Sequence, residues 1–199
     1  MGTSISNILL LILVPIQAVN NVALRIAKSI AVTALALMVL IILLQVFFRY
    51  VLNNALPWPD EAARFLMLWM TGLIAPAAYR QGGFVAIDML EQFLPRAVAA
   101  ALTLVLLALS LLVLVMGVQL GINHVNAGWL FSSASLKIPL DWIGLKAYKI
   151  KLAWMYMSLL VGLIWLTVVN IELILRNLVT LFGHADRLQP IPNDTVRID

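Results

Sequence analysis

Long apolar runs separated by short polar breaks set out this chain. Ser29–Phe48 holds twenty residues without a charge, and Gln45 is its only strongly polar side chain. Ala97–Asn123 runs for 27 uncharged residues and Leu152–Ile171 for another twenty. Phe65–Tyr79 is shorter, fifteen residues, and gains a spanning length only within a helix from about Asp60 to Arg80. About 20 mostly apolar residues in a helix cross the roughly 30 Å hydrocarbon core of a bilayer. The pattern therefore predicts an all-α integral membrane protein with four transmembrane helices, at about residues 29–48, 62–80, 97–121 and 152–171. Small residues four apart recur along these runs: Ala27/Ala31, Ser29/Thr33, Ala97/Ala101, Gly117/Gly121 and Ser158/Gly162. Such pairs let helix backbones approach closely inside a membrane. Gly72, Ala75, Ala77 and Ala78 thin the second half of the second run in the same way.

The breaks predict the remaining elements. Ile8–Ile16 is apolar, but Pro15, Gln17, Asn20 and Asn21 interrupt it, so residues 1–28 read as an interfacial extension or a kinked lead-in. Asn53 and Asn54 favour a turn, and Pro57 and Pro59 forbid a regular helix through Trp58. Pro59 suits the first turn of the next helix, where Asp60 and Glu61 meet the positive end of its dipole. Arg64 lies within helical pairing reach of both carboxylates. Pro76 should kink that helix, and Gln81-Gly82-Gly83 should end it. Phe84–Leu94 is short and amphipathic, with Asp88 and Glu91 opposite Phe84, Ile87, Leu90 and Leu94, and is predicted to lie on the surface. His124–Lys151 interleaves Trp129, Phe131, Trp142 and Tyr148 with Lys137, Lys146, Lys149 and Lys151, the composition of an interfacial belt. Trp129, Trp142, Lys146, Lys149 and Lys151 are its candidate lipid anchors. Three regions result: the extension 1–28, a four-span domain 29–176, and a polar tail 177–199.

Composition agrees. The chain is 63% hydrophobic and 11% charged, with mean hydropathy +1.03. Soluble domains average roughly 45–50% apolar and about 25% charged. The absence of cysteine removes disulfides, thiol chemistry and Cys-based metal sites. A net charge of +4, spread along the chain, gives nucleic-acid binding no support. None of the four apolar runs, with Phe65–Tyr79 as the second, contains Asp, Glu, Lys, Arg or His. A carrier working alone usually places ionisable or broken polar groups near mid-membrane. A haem-bearing subunit needs membrane histidines, yet His124 and His184 both lie outside the spans. No catalytic residue, metal site or cofactor is therefore assigned. With both termini inside, seven Lys and Arg near span ends fall on the inner face and six on the outer, which leaves orientation undecided.

The charges concentrate in Phe48–Glu91, where Arg49, Asp60, Glu61, Arg64, Arg80, Asp88 and Glu91 surround one short apolar run. For Asp60, Glu61 and Arg64 two compatible readings stand: a capped helix start with a local ion pair, or a polar clamp, with Arg49 close by, presented to another subunit. Arg80 and Asp88 could join the end of the second span to the surface helix. Trp58 and Trp69 read as belt or core aromatics, or as docking side chains. The lysine cluster at Lys146, Lys149 and Lys151 suits lipid headgroups, or the acidic surface of a partner protein.

Arg49-Tyr50, Leu56-Pro57-Trp58, Asp60-Glu61, Arg64, Trp69, Arg80-Gln81-Gly82-Gly83 and Ile87-Asp88 together resemble the small membrane subunit of tripartite ATP-independent periplasmic (TRAP) transporters, the DctQ-like proteins. Ser135–Trp142 is similar to that family's entry to its last span, and the likeness covers about residues 29–176. Asp60 stands where the family has Glu, and Phe84 where it often has His. The resemblance implies a large multi-span partner that carries substrate and sodium, and a periplasmic binding protein that delivers an organic acid. It further implies a scaffold role in a bacterial inner membrane, with both termini cytoplasmic. Arg49, Trp58, Asp60, Glu61, Arg64, Trp69, Arg80 and Asp88 are then the candidate partner-docking residues. An accessory subunit of another membrane complex, or a homo-oligomeric carrier, are the alternative functions.

Overall fold

A computed structural model of the chain describes residues 2–82, 95–138, 148–181 and 188. Four helices dominate: α1 (Gly2–Tyr50), α2 (Pro59–Arg80), α3 (Arg96–Gly128) and α4 (Ala153–Leu181). Between α3 and α4 lie two short strands, β1 (Ser132–Ile138) and β2 (Tyr148–Lys151), paired antiparallel. All four helices are long and apolar enough to cross a membrane, over Leu9–Tyr50, Pro59–Arg80, Val98–Gly128 and Ala153–Leu181.

Two of these helices outrun their apolar runs. α1 is continuous for 49 residues and passes through Pro15 and the polar positions that suggest a boundary near residue 28. Its buried side chains explain why no break occurs there. Leu13, Gln17, Asn20, Leu24, Ala31 and Ala34 are all buried, and Met38, Ile41, Gln45 and Phe48 are half-buried. Spacings of four and three repeat through this stripe, the heptad pattern that keeps one helix face against its neighbours. Gln17 and Asn20 therefore face the protein. α4 likewise continues past Ile171 to Leu181, because Glu172 and Arg176 are partnered within the protein.

The helices contribute to two compact units. One comprises Met1–Arg25, Ala75–Met116 and Ile164–Asp199, and the other Ile26–Ile74 and Gly117–Leu163. In the first, Leu24, Ala77 and Val169 form a buried core, with Tyr79, Trp165 and Leu173 packed against it. Asn170 Nδ2 donates to Tyr79 Oη at 2.6 Å beside this core.

In the second unit α2 and α4 meet backbone to backbone. A Cβ on Gly72 would stand 2.4 Å from the Ser158 carbonyl oxygen, and one on Gly162 would stand 2.7 Å from the Gly72 carbonyl oxygen. Ser158 and Gly162 thus form the close-packing pair that their spacing predicts, and Gly72 is its counterpart. α3 presents Gly117 and Gly121 to Leu163 and Leu160 of α4.

The hairpin is the element that the apolar pattern does not foresee. Ser132 pairs with Lys151, Lys137 with Lys149 and Ile138 with Tyr148, and the register is irregular between Ser132 and Lys137. The predicted surface helix 84–94, Trp142, Lys146, and the tail apart from Leu188 and the end of α4 lie outside the described residues.

Candidate docking surface and buried polar network

Polar side chains gather at both ends of α2. At its start Pro59 is buried, and Asp60 and Glu61 occupy the first turn. Glu61 does not serve its own helix alone. One oxygen of its carboxylate accepts the backbone N–H of Ser135 at 2.8 Å, that of Leu136 at 3.3 Å, and the Ser135 hydroxyl. The Leu136 N–H is shared with the Ser133 hydroxyl at 2.9 Å, and Ser133 is buried. These groups lie in the irregular part of β1. The carboxylate takes up donors there that would otherwise seek a neighbouring strand, so the bulge is held by a side chain from another element.

That geometry corrects the expected local ion pair. Among the described residues Arg64 makes no ion pair with Asp60 or Glu61. An exposed i,i+3 or i,i+4 pair contributes only a few tenths of a kcal/mol. Hydrogen bonds to a charged acceptor contribute about 1.5–3 kcal/mol each. Three donors in a fixed array therefore win the carboxylate. Asp60 and Arg64 are left exposed, as is Arg49, whose guanidinium lies 5.8 Å from the Tyr50 ring centroid. Trp58 is exposed at 37%. Trp69 is half-buried, tilted against Phe65 at 6.3 Å, and its buried Nε1 has no partner among the described residues.

At the other end of α2, Arg80 is buried and turned into the protein. Its Nη2 and Nε reach Glu172 Oε1 at 2.6 and 3.2 Å, and its Nη1 donates to Asn21 Oδ1 at 2.6 Å. Arg176 Nε approaches the same Glu172 oxygen at 3.3 Å, one turn further along α4. Asn20 Nδ2 donates to Glu172 Oε2 at 2.6 Å. Glu172 itself is 0% exposed. Both carboxylate oxygens are engaged, and two guanidinium groups share one anion. α1, α2 and α4 are thereby joined through a network centred on the fully buried Glu172.

This network overturns part of the reading of the spans as free of ionisable groups. The apolar runs are empty of charge, but α4 carries Glu172 and Arg176 inside its length, and α1 carries Arg25 and Lys28. Arg80 is taken by Glu172, and Asp88, its expected partner, lies outside the described residues. The residues that sequence reasoning missed are Glu172, Asn20, Asn21 and Ser135. A signal for the first two was present. Gln17, Asn20 and Leu24 fall on one helical stripe, and Glu172 precedes Arg176 by four residues. A polar side chain at a core-facing position of an apolar helix asks for a polar partner.

The described candidate anchors, Trp129, Lys149 and Lys151, lie on and beside the hairpin. Trp129 packs edge-on against Trp154 with centroids 6.2 Å apart, and Lys149 and Lys151 lie on β2. No group of three or more His, Cys, Asp or Glu side chains able to hold a metal occurs among the described residues.

Four apolar helices, closely packed at glycine and serine, with the buried carboxylate of Glu172 engaged by neighbouring side chains, define a multi-pass membrane protein. Residues 38–180 match the family of tripartite ATP-independent periplasmic transporters, DctQ component. The chain belongs to that family, and so is the DctQ component of a TRAP transporter, a transporter subunit rather than a member of an enzyme family. No curated protein matches it.

Proposed function

We propose that this chain is the fixed small subunit beside a large sodium-coupled membrane subunit, in a system that takes up an organic acid delivered by a periplasmic binding protein. Membership of the DctQ family supports the tripartite setting. The state of Glu172 supports the division of labour. It is the buried carboxylate of the described helices, and Arg80, Arg176 and Asn20 engage both its oxygens. A coupling ion needs open oxygen ligands, and this carboxylate has none to offer. Ion and substrate sites then belong to the partner, and this chain acts as scaffold. Arg49, Trp58, Asp60 and Arg64, exposed around the start of α2, are the side chains proposed to dock it. In the proposed arrangement the protein lies in the inner membrane with cytoplasmic termini, and the start of α2 and the hairpin face the periplasm.

Reconstitution tests this directly. The full chain co-expressed with the large subunit should co-purify with it, and uptake by proteoliposomes should require both membrane chains and the binding protein. Substrate uptake by vesicles holding this chain alone would overturn the scaffold reading.

A further inference from the structure

We propose that one face of the hairpin is a docking site for anionic phospholipid headgroups, with Lys137 and Lys149 as its phosphate-binding pair. Lys137 and Lys149 stand directly opposite each other across the two strands. Directly opposed residues project to the same face, and residues two apart on a strand share a face. Two ammonium groups thus share one side of a very short sheet, and half-buried Lys151 follows two residues further along β2. Lys137 and Lys149 are both exposed, and neither has an acidic partner among the described residues. Like charges set directly opposite destabilise a strand pair. An anion between them reverses the sign of that interaction.

The depth of the hairpin selects the anion. α3 ends at Gly128, β1 begins at Ser132, β2 ends at Lys151 and α4 begins at Ala153. The Leu152 N–H donates to the Phe131 carbonyl at 3.1 Å and closes the base of the hairpin. Lys149 thus stands four residues before α4, and strand pairing holds Lys137, nine residues after α3, level with it, which sets both just outside the ends of two helices able to cross a membrane. Beside them Trp129, Leu130 and Phe131 are 44%, 80% and 63% exposed. Aromatic and aliphatic side chains next to lysines suit the boundary between acyl chains and headgroups. A water-soluble acidic protein would satisfy the lysines and leave these apolar groups wet.

Native mass spectrometry of the full chain in detergent, titrated with phosphatidylglycerol or phosphatidylcholine, tests the assignment. A lysine near an anionic surface contributes about 1 kcal/mol, so the double variant K137Q/K149Q should bind phosphatidylglycerol about 25-fold more weakly. Its phosphatidylcholine affinity should match the wild type. The substitution relieves the cross-strand repulsion and leaves the Glu61 contacts intact, so folding is retained. R49Q/R64Q, which removes two exposed cations elsewhere, should keep wild-type binding of phosphatidylglycerol. An equal loss in R49Q/R64Q, or unchanged phosphatidylglycerol affinity in K137Q/K149Q, would overturn the proposal. So would displacement of the lipid by millimolar inorganic phosphate. Loss of binding-protein capture in K137Q/K149Q, with lipid affinity intact, would assign the face to a protein instead.

Discussion

Replacing Glu172 by methionine should be the most damaging single change in the polar network. The substitution leaves Arg80, with a side chain 4% exposed, and Arg176, with one 12% exposed, facing each other without their anion. Breaking a buried ion pair from one side costs about 3–5 kcal/mol, because the remaining charge stays desolvated. Arg80→Met is the milder lesion. Glu172 then keeps the Arg176 contact at 3.3 Å and the Asn20 donor at 2.6 Å, so a cost of about 2–3 kcal/mol is expected. R80M/E172M replaces the most buried pair with flexible apolar side chains and leaves Arg176, whose side chain is 12% exposed, to turn towards water. Exchanging a whole buried pair for apolar groups is often nearly neutral. The double variant should therefore be more stable than E172M, with a coupling energy of about 2 kcal/mol or more. Reversible denaturant unfolding in mixed micelles, followed by far-UV circular dichroism, measures all four proteins. Additive costs, or an R80M variant as unstable as E172M, would refute the shared-anion arrangement.

Two further outcomes are expected. Glu61→Ala removes the acceptor from Ser135 and Leu136, and should raise amide hydrogen exchange across residues 132–138 while leaving α2 protected. Glu61→Gln, which keeps a neutral acceptor, should fall between the two. Gly72→Val drives a side chain into the Ser158 carbonyl and should lower unfolding stability by about 1–3 kcal/mol or more, the usual scale of overpacking. Gly82→Val should cost less through packing, because nothing lies within 4 Å of a Cβ there, although its φ of +124° adds backbone strain. Equal protection across residues 132–138 in all the Glu61 proteins, or a Gly72 variant as stable as wild type, would count against these contacts.

The architecture was legible wherever burial in lipid writes itself as length. Four apolar runs became four helices, and the Ser158/Gly162 spacing located a true backbone contact. Helix ends were less legible, because a charge stops an apolar run but does not stop a helix. Arg25, Lys28, Glu172 and Arg176 all lie within helical backbone, where neighbours across the packing can accommodate what lipid would reject. Tertiary partners were not legible at all. Arg80 meets Glu172 92 residues away, and Glu61 meets Ser135 74 residues away. Spacing along one helix instead favours Asp60, Glu61 and Arg64 as a local set. The hairpin was hidden for a related reason. Ser-Ser-Ala-Ser-Leu-Lys-Ile has little alternation, and its strand geometry depends on a carboxylate supplied from α2.

α1 carries a geometric demand on the membrane itself. The candidate span Leu9–Tyr50 is 42 residues, or about 63 Å at 1.5 Å per residue, and includes Arg25 and Lys28. The hydrocarbon core is about 30 Å thick, and spanning helices tilt by roughly 0–40°. Even at the upper limit of that range the helix would rise about 48 Å, so part of its exposed apolar surface must lie where lipid tails do not ordinarily reach. A helix of this length is accommodated by tilt, by a kink, by a locally thicker bilayer, or by an end that emerges from the hydrocarbon near Arg25 and Lys28, so α1 ties the placement of this subunit to the thickness of the membrane around it.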